Sequence, residues 1–304
     1  MGNTFFFSWE PTFMVWLQSH LGAFGLTLAK VFSLFGEEMV TILVLGFTYW
    51  GVHKELGKFI GRNACVAMMA NPMIKNVFLR LRPYMVCPEV KCLKPVDSGA
   101  DLMDVAAQGY SFPSNHASGS VSTFTSIGVY LKKKWAVAVA VLVPLLVGVS
   151  RFCVGVHFPT DVLFGWGLGL FVILVVPYFE KKFEKRWVFY LVLLLLAVPG
   201  WFYCKTNDFY SSFGMTVGFF AGDLFEERYV RFKNTRNIGK IVLRILCGGA
   251  IYFGLNYLLK LPFSSAFLSS ETFLAHLVRS LRYGVLLFIL TALYPLCFDR
   301  LGKK

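Results

Sequence analysis

Residues 135–179 read WAVAVAVLVPLLVGVSRFCVGVHFPTDVLFGWGLGLFVILVVPYF, and this stretch decides the class of fold. Two apolar runs flank a short polar interruption, and each run approaches the length of a membrane-spanning helix. The interruption contains Ser150, Arg151, His157 and Asp161. Ionisable groups at the ends of apolar segments are costly and usually serve a function, so this turn is the first candidate site.

The whole chain has the composition of a membrane protein. Of its 304 residues 56% are hydrophobic and only 15% are charged, whereas about a quarter are charged in an ordinary soluble domain. The formal net charge is +13. Lys and Arg are concentrated in short gaps between apolar segments, as in cytoplasmic loops, rather than in one basic patch. We therefore expect no nucleic-acid partner.

Apolar segments recur along the chain, which predicts an all-α, polytopic transmembrane helical bundle of about nine spans. The segments are residues 37–53, 58–79, 113–131, 135–151, 160–179, 187–204, 209–225, 238–260 and 277–298. Ahead of them, residues 9–35 mix Trp, Gln, His and Lys with Leu and Phe. This mixture predicts a helix lying in the membrane interface.

The basic gaps predict the orientation. Every second gap is rich in Lys and Arg, and the C-terminal DRLGKK continues the pattern. The positive-inside rule assigns these gaps to the cytoplasm, so the N-terminus is predicted to be extracytoplasmic and the C-terminus cytoplasmic. The turn that holds His157 then faces the extracytoplasmic side, together with the segments around Arg82 and His116.

Two further segments supply polar residues on that side. In KNVFLRLRP, Lys75 precedes Arg82 by seven residues, close to two helical turns. This spacing predicts that both cations project from one helix face before Pro83 ends the helix. In YSFPSNHASGS, Pro113 to His116 open an apolar helix whose free N–H groups favour an anion. The three segments together predict a pocket for a phosphate dianion.

These segments resemble the three signature motifs of the type 2 phosphatidic acid phosphatase superfamily. Lys-x6-Arg-Pro at 75–83, Pro-Ser-x-His at 113–116 and Ser-Arg-x5-His-x3-Asp at 150–161 occur in the family's order and with its internal spacing. The superfamily also includes glucose-6-phosphatase, the sphingosine phosphate phosphatases and the vanadium haloperoxidases. One departure is visible, because Asn115 stands where the family usually has Gly before the middle-motif His.

The resemblance implies a role for each matching residue. His157 corresponds to the nucleophile that takes the phosphoryl group, and Asp161 to the carboxylate that orients it. His116 corresponds to the general acid that protonates the leaving oxygen and then activates water. The phosphate-binding matches are Lys75, Arg82, Ser114, Asn115 and Arg151. Because these cations stabilise the phosphoryl charge, neither a metal nor another cofactor is expected.

Two interpretations concern residues that the motifs do not specify. Arg80 lies two positions from Arg82 and would face another side of a helix, which favours a solvated or lipid-headgroup contact. Cys87 and Cys92 share the outer loop YMVCPEVKC, where an oxidising compartment would allow a disulfide and a reducing one would leave two thiols.

The apolar segments and the resemblance, which covers about residues 37–180, together predict three regions. Residues 1–36 form an N-terminal interfacial or extracytoplasmic segment, residues 37–180 the phosphatase core, and residues 181–304 additional transmembrane helices. We expect the last region to widen the bundle, shape a lipid entrance or form a homodimer surface.

The expected function is that of an integral membrane lipid phosphatase with an extracytoplasmic site. Candidate substrates are a phosphatidate-like lipid, a polyprenyl diphosphate and a sphingoid phosphate. Two alternatives stay open: a sugar-phosphate phosphatase of the glucose-6-phosphatase type, and a non-catalytic lipid-binding or transport protein. The membrane would be a bacterial inner membrane with a periplasmic site, or an endoplasmic reticulum membrane with a lumenal site.

Overall fold

The structure, a computed structural model, describes residues 2–298, and its regular elements are helices. One isolated bridge joins Asn3 to Arg80, and no sheet forms within the described range. The all-α prediction is therefore confirmed. The C-terminal sequence 299–304, which contributes to the predicted orientation, lies outside the described residues.

The described residues form helices that follow one another along the chain with short connections. The first eight are α1 (Trp9–His20), α2 (Gly22–Leu34), α3 (Glu38–Gly46), α4 (Lys54–Phe78), α5 (Pro83–Val86), α6 (Val105–Gln108), α7 (Asn115–Ser120) and α8 (Ser126–Leu131). The next eight are α9 (Lys134–Cys153), α10 (Pro159–Glu180), α11 (Arg186–Ala197), α12 (Gly200–Tyr203), α13 (Asn207–Phe225), α14 (Ile238–Leu258), α15 (Ser265–Ser269) and α16 (Phe273–Phe288). Single π-helical stretches continue four of them, at Phe47–Val52, Val121–Thr125, Glu226–Val230 and Ile289–Leu293.

Each of the nine predicted apolar segments is helical in the structure. Five described helical stretches are long and apolar enough to cross a membrane: Lys134–Cys153, Pro159–Glu180, Arg186–Tyr203, Ile238–Leu258 and Phe273–Cys297. The others fall short in length or hydropathy; in α4, for example, polar residues such as Arg62 and Lys75 lower the mean hydropathy. The polytopic membrane fold is supported, and the number of nine spans stays a prediction.

The N-terminal region forms two helices where the sequence predicted one. Leu21 lies between α1 and α2, and Gly22, the first residue of α2, has a φ of +59°, a conformation that glycine adopts without strain. Both helices pack against α9. Their depth relative to the membrane interface stays a prediction.

The chain divides into two compact units. The first comprises the described part of Met1–Thr41 with Ala70–Leu174, and the second comprises Ile42–Met69 with the described part of Val175–Lys304. All eight predicted site residues fall within the first unit. The predicted functional division at residues 36 and 180 stays a prediction.

In the first unit α9 is the central helix, and Pro144 lies inside it. Proline has no N–H, so the carbonyl of Ala140 loses its normal helical partner. The hydroxyl of Thr125 donates to that carbonyl at 2.7 Å. A polar group that would otherwise be unsatisfied in lipid therefore binds α9 to the neighbouring helical segment.

Helix α10 approaches the start of α7 closely, because its facing residue is glycine. A Cβ at Gly165 would lie 2.6 Å from the carbonyl oxygen of Ser114 and 2.8 Å from the side chain of Ala117. This close approach allows the predicted middle motif to contact the helix that begins beside His157.

In the second unit α13 packs directly on α16 through small residues. Gly214 and Gly218 face the backbone of Ser280 and Gly284, and a Cβ at either glycine would collide with a carbonyl oxygen. Small residues spaced by four let helix backbones approach each other, which is how membrane helices associate without a hydrophobic driving force.

A buried ion cluster joins the helices of the second unit. Asp223 and Glu226, both fully buried, form ion pairs with Lys58, whose Nζ lies 2.9 Å from Asp223 and 2.7 Å from Glu226. Arg62 lies 3.6 Å from Asp223, and the Tyr190 hydroxyl donates to Asp223. These charges are paired with one another, so they do not form an open site.

Candidate active site

His157 lies in the turn between α9 and α10. Residues 154–158 form this turn, and Pro159 occupies the first position of α10, as the sequence predicted. Gly155 has a φ of +80°, and a Cβ there would collide with the carbonyl oxygen of Lys91. The side chain of His157 is buried, with 3% of its surface exposed.

Two contacts indicate which ring nitrogen of His157 carries the proton. Nε2 lies 3.5 Å from Nη1 of Arg82, and because a guanidinium can only donate, Nε2 keeps its lone pair. The proton is then assigned to Nδ1, which lies 3.6 Å from Oδ2 of Asp161 without a hydrogen bond. The carboxylate thus lies beside the imidazole, but the hydrogen bond expected between them is not made in this geometry.

The carboxylate of Asp161 is fixed by other donors. It is fully buried in the first turn of α10. Oδ1 accepts from Nη1 of Arg80 at 2.6 Å. Oδ2 accepts from the Phe158 N–H at 2.7 Å and from the hydroxyl of Ser111. These bonds hold the carboxylate in one position beside His157.

The environment of Arg80 differs most from the sequence prediction. It is buried, with 2% of its side chain exposed, and does not make the solvated or headgroup contact expected of it. Its Nη1 binds Asp161, and its Nη2 binds Oε2 of Glu10 at 2.9 Å. Glu10 is fully buried in α1 and also accepts from the N–H and hydroxyl of Thr160 at 3.0 and 2.7 Å. Glu10, Arg80 and Asp161 therefore form a buried row of alternating charge.

Lys75 and Arg82 do not have the relative placement that the sequence predicted. α4 ends at Phe78, so the two cations do not share a helix face, and Pro83 begins α5 rather than ending α4. Backbone carbonyls position Arg82: its Nε donates to Gln108 at 2.8 Å, and its Nη1 donates to Val156 at 2.9 Å.

Arg151 lies in the last turn of α9, as predicted. Its side chain is buried, and Nη1 donates to the hydroxyl of Ser33. Its Nε is buried and has no hydrogen-bond partner in the described structure. A buried guanidinium donor without a partner is unfavourable unless a ligand completes it, which fits a phosphate-binding role.

The middle motif begins α7. Ser114 is the N-cap residue, and its N–H donates to the carbonyl of Asp161 at 2.9 Å, which ties α7 to α10. Oδ1 of Asn115 is buried without a partner. His116 follows, within range of the positive charge of Arg151. Gly36 leaves room for it, since a Cβ there would lie 2.9 Å from the His116 side chain.

The environment keeps His157 neutral. Burial is the largest cause, and the positive charges of Arg82, Arg151 and Lys75 act in the same direction, so that the pKa of His157 is lowered well below its ordinary value. A neutral imidazole surrounded by three cations can attack an anionic phosphoryl group, whose charge the same cations would neutralise.

Sequence reasoning missed Glu10 and Ser111 and misread Arg80. One signal was present, because Glu10 is the only carboxylate in the aromatic stretch FFFSWEPTFMVW, and such a group needs a cation when it is buried. Nothing in the local spacing indicated that the cation is Arg80, which lies seventy residues away.

Cys87 and Cys92 carry separate thiols in the structure, so of the two alternatives the unbridged one is observed. Within residues 2–298, no group of three or more His, Cys, Asp or Glu side chains is arranged to hold a metal ion. Independence from metals stays a prediction.

Comparison with protein families gives two matches. Residues 60–185 match the PAP2 superfamily, and residues 210–304 match the transmembrane extension of PAP2 superfamily phosphatases. The first match contains all three motifs, and the second covers the helices from α13 onward.

Two curated proteins are similar to the chain. Phosphatidylglycerophosphatase B of Bacillus subtilis (strain 168) is 34% identical over 90 residues, which are 27% of this chain and 44% of that protein. Undecaprenyl-diphosphatase of Sulfolobus acidocaldarius is 29% identical over 141 residues, which are 46% of this chain and 63% of that protein. The chain thus spans less than two thirds of the length of either relative. No solved structure matches it.

Proposed function

The chain belongs to the PAP2 superfamily, and we propose that it is an integral membrane phosphatase that hydrolyses a lipid phosphate monoester or diphosphate. The proposal rests above all on His157, whose unprotonated Nε2 lies beside Arg82 within a set of buried cations. The names of the two curated relatives, each a phosphatase of a phosphorylated lipid, support a lipid substrate.

The proposed reaction has two steps. Nε2 of His157 attacks phosphorus, the bond from phosphorus to the leaving oxygen breaks, and protonated His116 gives its proton to that oxygen. Neutral His116 then takes a proton from water, the hydroxide attacks phosphorus, and the bond to His157 breaks to release inorganic phosphate.

The charges in the site suit both steps. Lys75, Arg82 and Arg151 would bind the phosphoryl oxygens, with the free Nε donor of Arg151 directed to one of them. Asp161 would stabilise the positive charge that His157 acquires when it carries the phosphoryl group. Since the cations supply the charge stabilisation, we propose that no metal ion is required.

We place the site on the extracytoplasmic side. The support is the alternation of basic and less basic gaps along the sequence, which assigns the turn between α9 and α10 to that side. A lipid substrate would reach this depth with its headgroup at the membrane surface and its chains among the helices.

Phosphate release by the purified protein tests the proposal. In detergent with EDTA, we expect release from at least one of phosphatidate, phosphatidylglycerophosphate, a polyprenyl diphosphate and a sphingoid phosphate, and none from glucose 6-phosphate. Release from glucose 6-phosphate alone would favour the sugar-phosphate alternative, and no release from any of them would favour a non-catalytic protein. Hydrolysis of a short-chain substrate by intact right-side-out vesicles checks the sidedness.

The pH dependence of the reaction should follow the charge around His157. Because neighbouring cations lower the pKa of His157, replacement of Arg82 by Gln should raise that pKa and move the acid limb of kcat/KM to higher pH. The overall rate should also fall, but only the shift of the limb reports the charge effect. Lys91→Gln, at an exposed position, is the matched control. An acid limb that stays in place, or moves to lower pH, would contradict this account.

A further inference from the structure

Lys94 and Glu37 form an ion pair next to the candidate phosphate site. Nζ of Lys94 lies 2.6 Å from Oε1 of Glu37 and donates to the hydroxyl of Ser33 at 3.2 Å. The same buried hydroxyl accepts from Nη1 of Arg151. One serine therefore joins Lys94 to a predicted phosphate-binding cation, although Lys94 belongs to none of the three motifs.

The pair lies on the side of the site where His116 stands. Gly36, the residue before Glu37, packs directly against His116, since a Cβ at Gly36 would lie 2.9 Å from the His116 side chain. In the proposed reaction His116 protonates the leaving oxygen. The group attached to that oxygen would therefore lie beside Lys94.

The exposure of the pair suits exchange with a ligand. The side chain of Lys94 is 25% exposed and that of Glu37 is 38% exposed, whereas Arg151 and Ser33 are buried. A partly exposed ion pair contributes little stability, so breaking it costs little. A phosphate group offers Lys94 more negative charge and more acceptor oxygens than the Glu37 carboxylate does.

We propose that Lys94 binds a second phosphate on the leaving-group side of the substrate. When no substrate is bound, Lys94 instead forms its ion pair with Glu37. This inference rests on the proposed phosphatase function and specifies its substrate class. For a lipid diphosphate, the terminal phosphoryl group passes to His157, the bridging P–O bond breaks, and Lys94 neutralises the departing lipid monophosphate. For a monoester headgroup, Lys94 would contact a phosphodiester within the leaving group.

Two pairs of substrates distinguish whether the second phosphate belongs to a lipid diphosphate or to a phosphodiester in the headgroup. The first pair is a polyprenyl diphosphate against the monophosphate of the same polyprenol, and the second is phosphatidylglycerophosphate against phosphatidate. In Lys94→Ala we expect kcat/KM to fall about 10- to 100-fold for the member with a second phosphate, as for the loss of one charge-assisted hydrogen bond. For the other member the fall should be about threefold at most. The pair that shows the difference identifies the source.

Glu37→Gln supplies the second variant. Without the competing carboxylate, KM for the substrate with a second phosphate should fall about two- to fivefold, as expected when a surface ion pair no longer opposes binding. A purely structural ion pair predicts instead that both variants impair both substrates. Lys91→Ala removes a positive charge from an exposed position of the same loop. It should not change the ratio of the two kcat/KM values within either substrate pair.

The outcomes distinguish this inference from the proposed function. Equal losses on both members of each pair in Lys94→Ala, or a raised KM in Glu37→Gln, would overturn the role of Lys94 and leave the phosphatase proposal intact. If the unmodified protein releases no phosphate from any of the four lipids, the proposed function itself fails.

Discussion

Replacement of His157 by Gln is expected to lower phosphate release by about 10⁴-fold or more, as the loss of a catalytic nucleophile does in other enzymes. Gln can keep a polar contact with Arg82 but has no lone pair nucleophilic enough to attack phosphorus. The loss should appear in kcat, because the cations that would bind the phosphoryl oxygens remain. His20→Gln, at an exposed position of α1, makes the same chemical change and should leave activity unchanged.

His116→Asn provides the contrast that assigns the two imidazoles. A leaving alkoxide needs a proton, so hydrolysis of a lipid phosphate should fall by about 10²- to 10⁴-fold. p-Nitrophenolate leaves without protonation, so with p-nitrophenyl phosphate the first step should persist and the second should slow.

The covalent intermediate should therefore accumulate in His116→Asn. Rapid quenching after reaction with a ³²P-labelled aryl phosphate should trap an acid-labile, base-stable phosphoprotein in this variant and none in His157→Gln. If His157→Gln retains the label, His157 is not the nucleophile. The same holds if the activity of that variant is within tenfold of that of the unmodified protein.

The motif spacing predicted which residues meet, but not how the chain brings them together. The turn around His157 follows its prediction closely, because Pro159 and the apolar runs on both sides determine where two helices must end and begin. Asp161 in the first turn of α10 follows from the same boundary.

The first motif shows where sequence reasoning failed. The spacing of Lys75 and Arg82 predicts a shared helix face, but α4 ends at Phe78 and Leu79 adopts a φ of +51°. Beyond that point the helical periodicity no longer applies, so Arg80 points to Asp161 rather than to solvent or lipid. The partner that accounts for its burial, Glu10, is distant in sequence, and contacts of that range leave no local pattern.

Replacement of Arg80 by Met should destabilise the protein by about 3–5 kcal/mol, the usual cost of removing one partner from a buried ion pair. Met fills a similar volume but leaves Glu10 and Asp161 as buried carboxylates without their shared cation. Arg80→Lys should recover only part of the loss, because one ammonium cannot reproduce the two-sided contact of the guanidinium. Thermal unfolding in detergent measures both effects.

Arg80 is a positioning residue in this interpretation, so its effect on catalysis should have a distinct form. Misplacement of a catalytic group by about 1 Å can cost about 100-fold in rate. We expect Arg80→Lys, the variant more able to fold, to lower kcat by about that factor while KM changes less than threefold. A rise in KM with unchanged kcat would instead indicate that Arg80 binds substrate directly.

The charge row itself is tested by combining Arg80→Met with Glu10→Gln. Arg80→Met alone leaves two buried carboxylates without their cation, and Glu10→Gln alone leaves Arg80 paired with Asp161. In the double variant the loss of Arg80 leaves only Asp161, which keeps its bonds to Ser111 and Phe158. The double variant should therefore be more stable than the sum of the single effects predicts, with a coupling of about 0.5–3 kcal/mol. Additivity within about 0.5 kcal/mol would mean that the two side chains act independently. Coupling in stability together with a parallel recovery of kcat would show that α1, which lies outside every motif, helps to hold the carboxylate that faces His157.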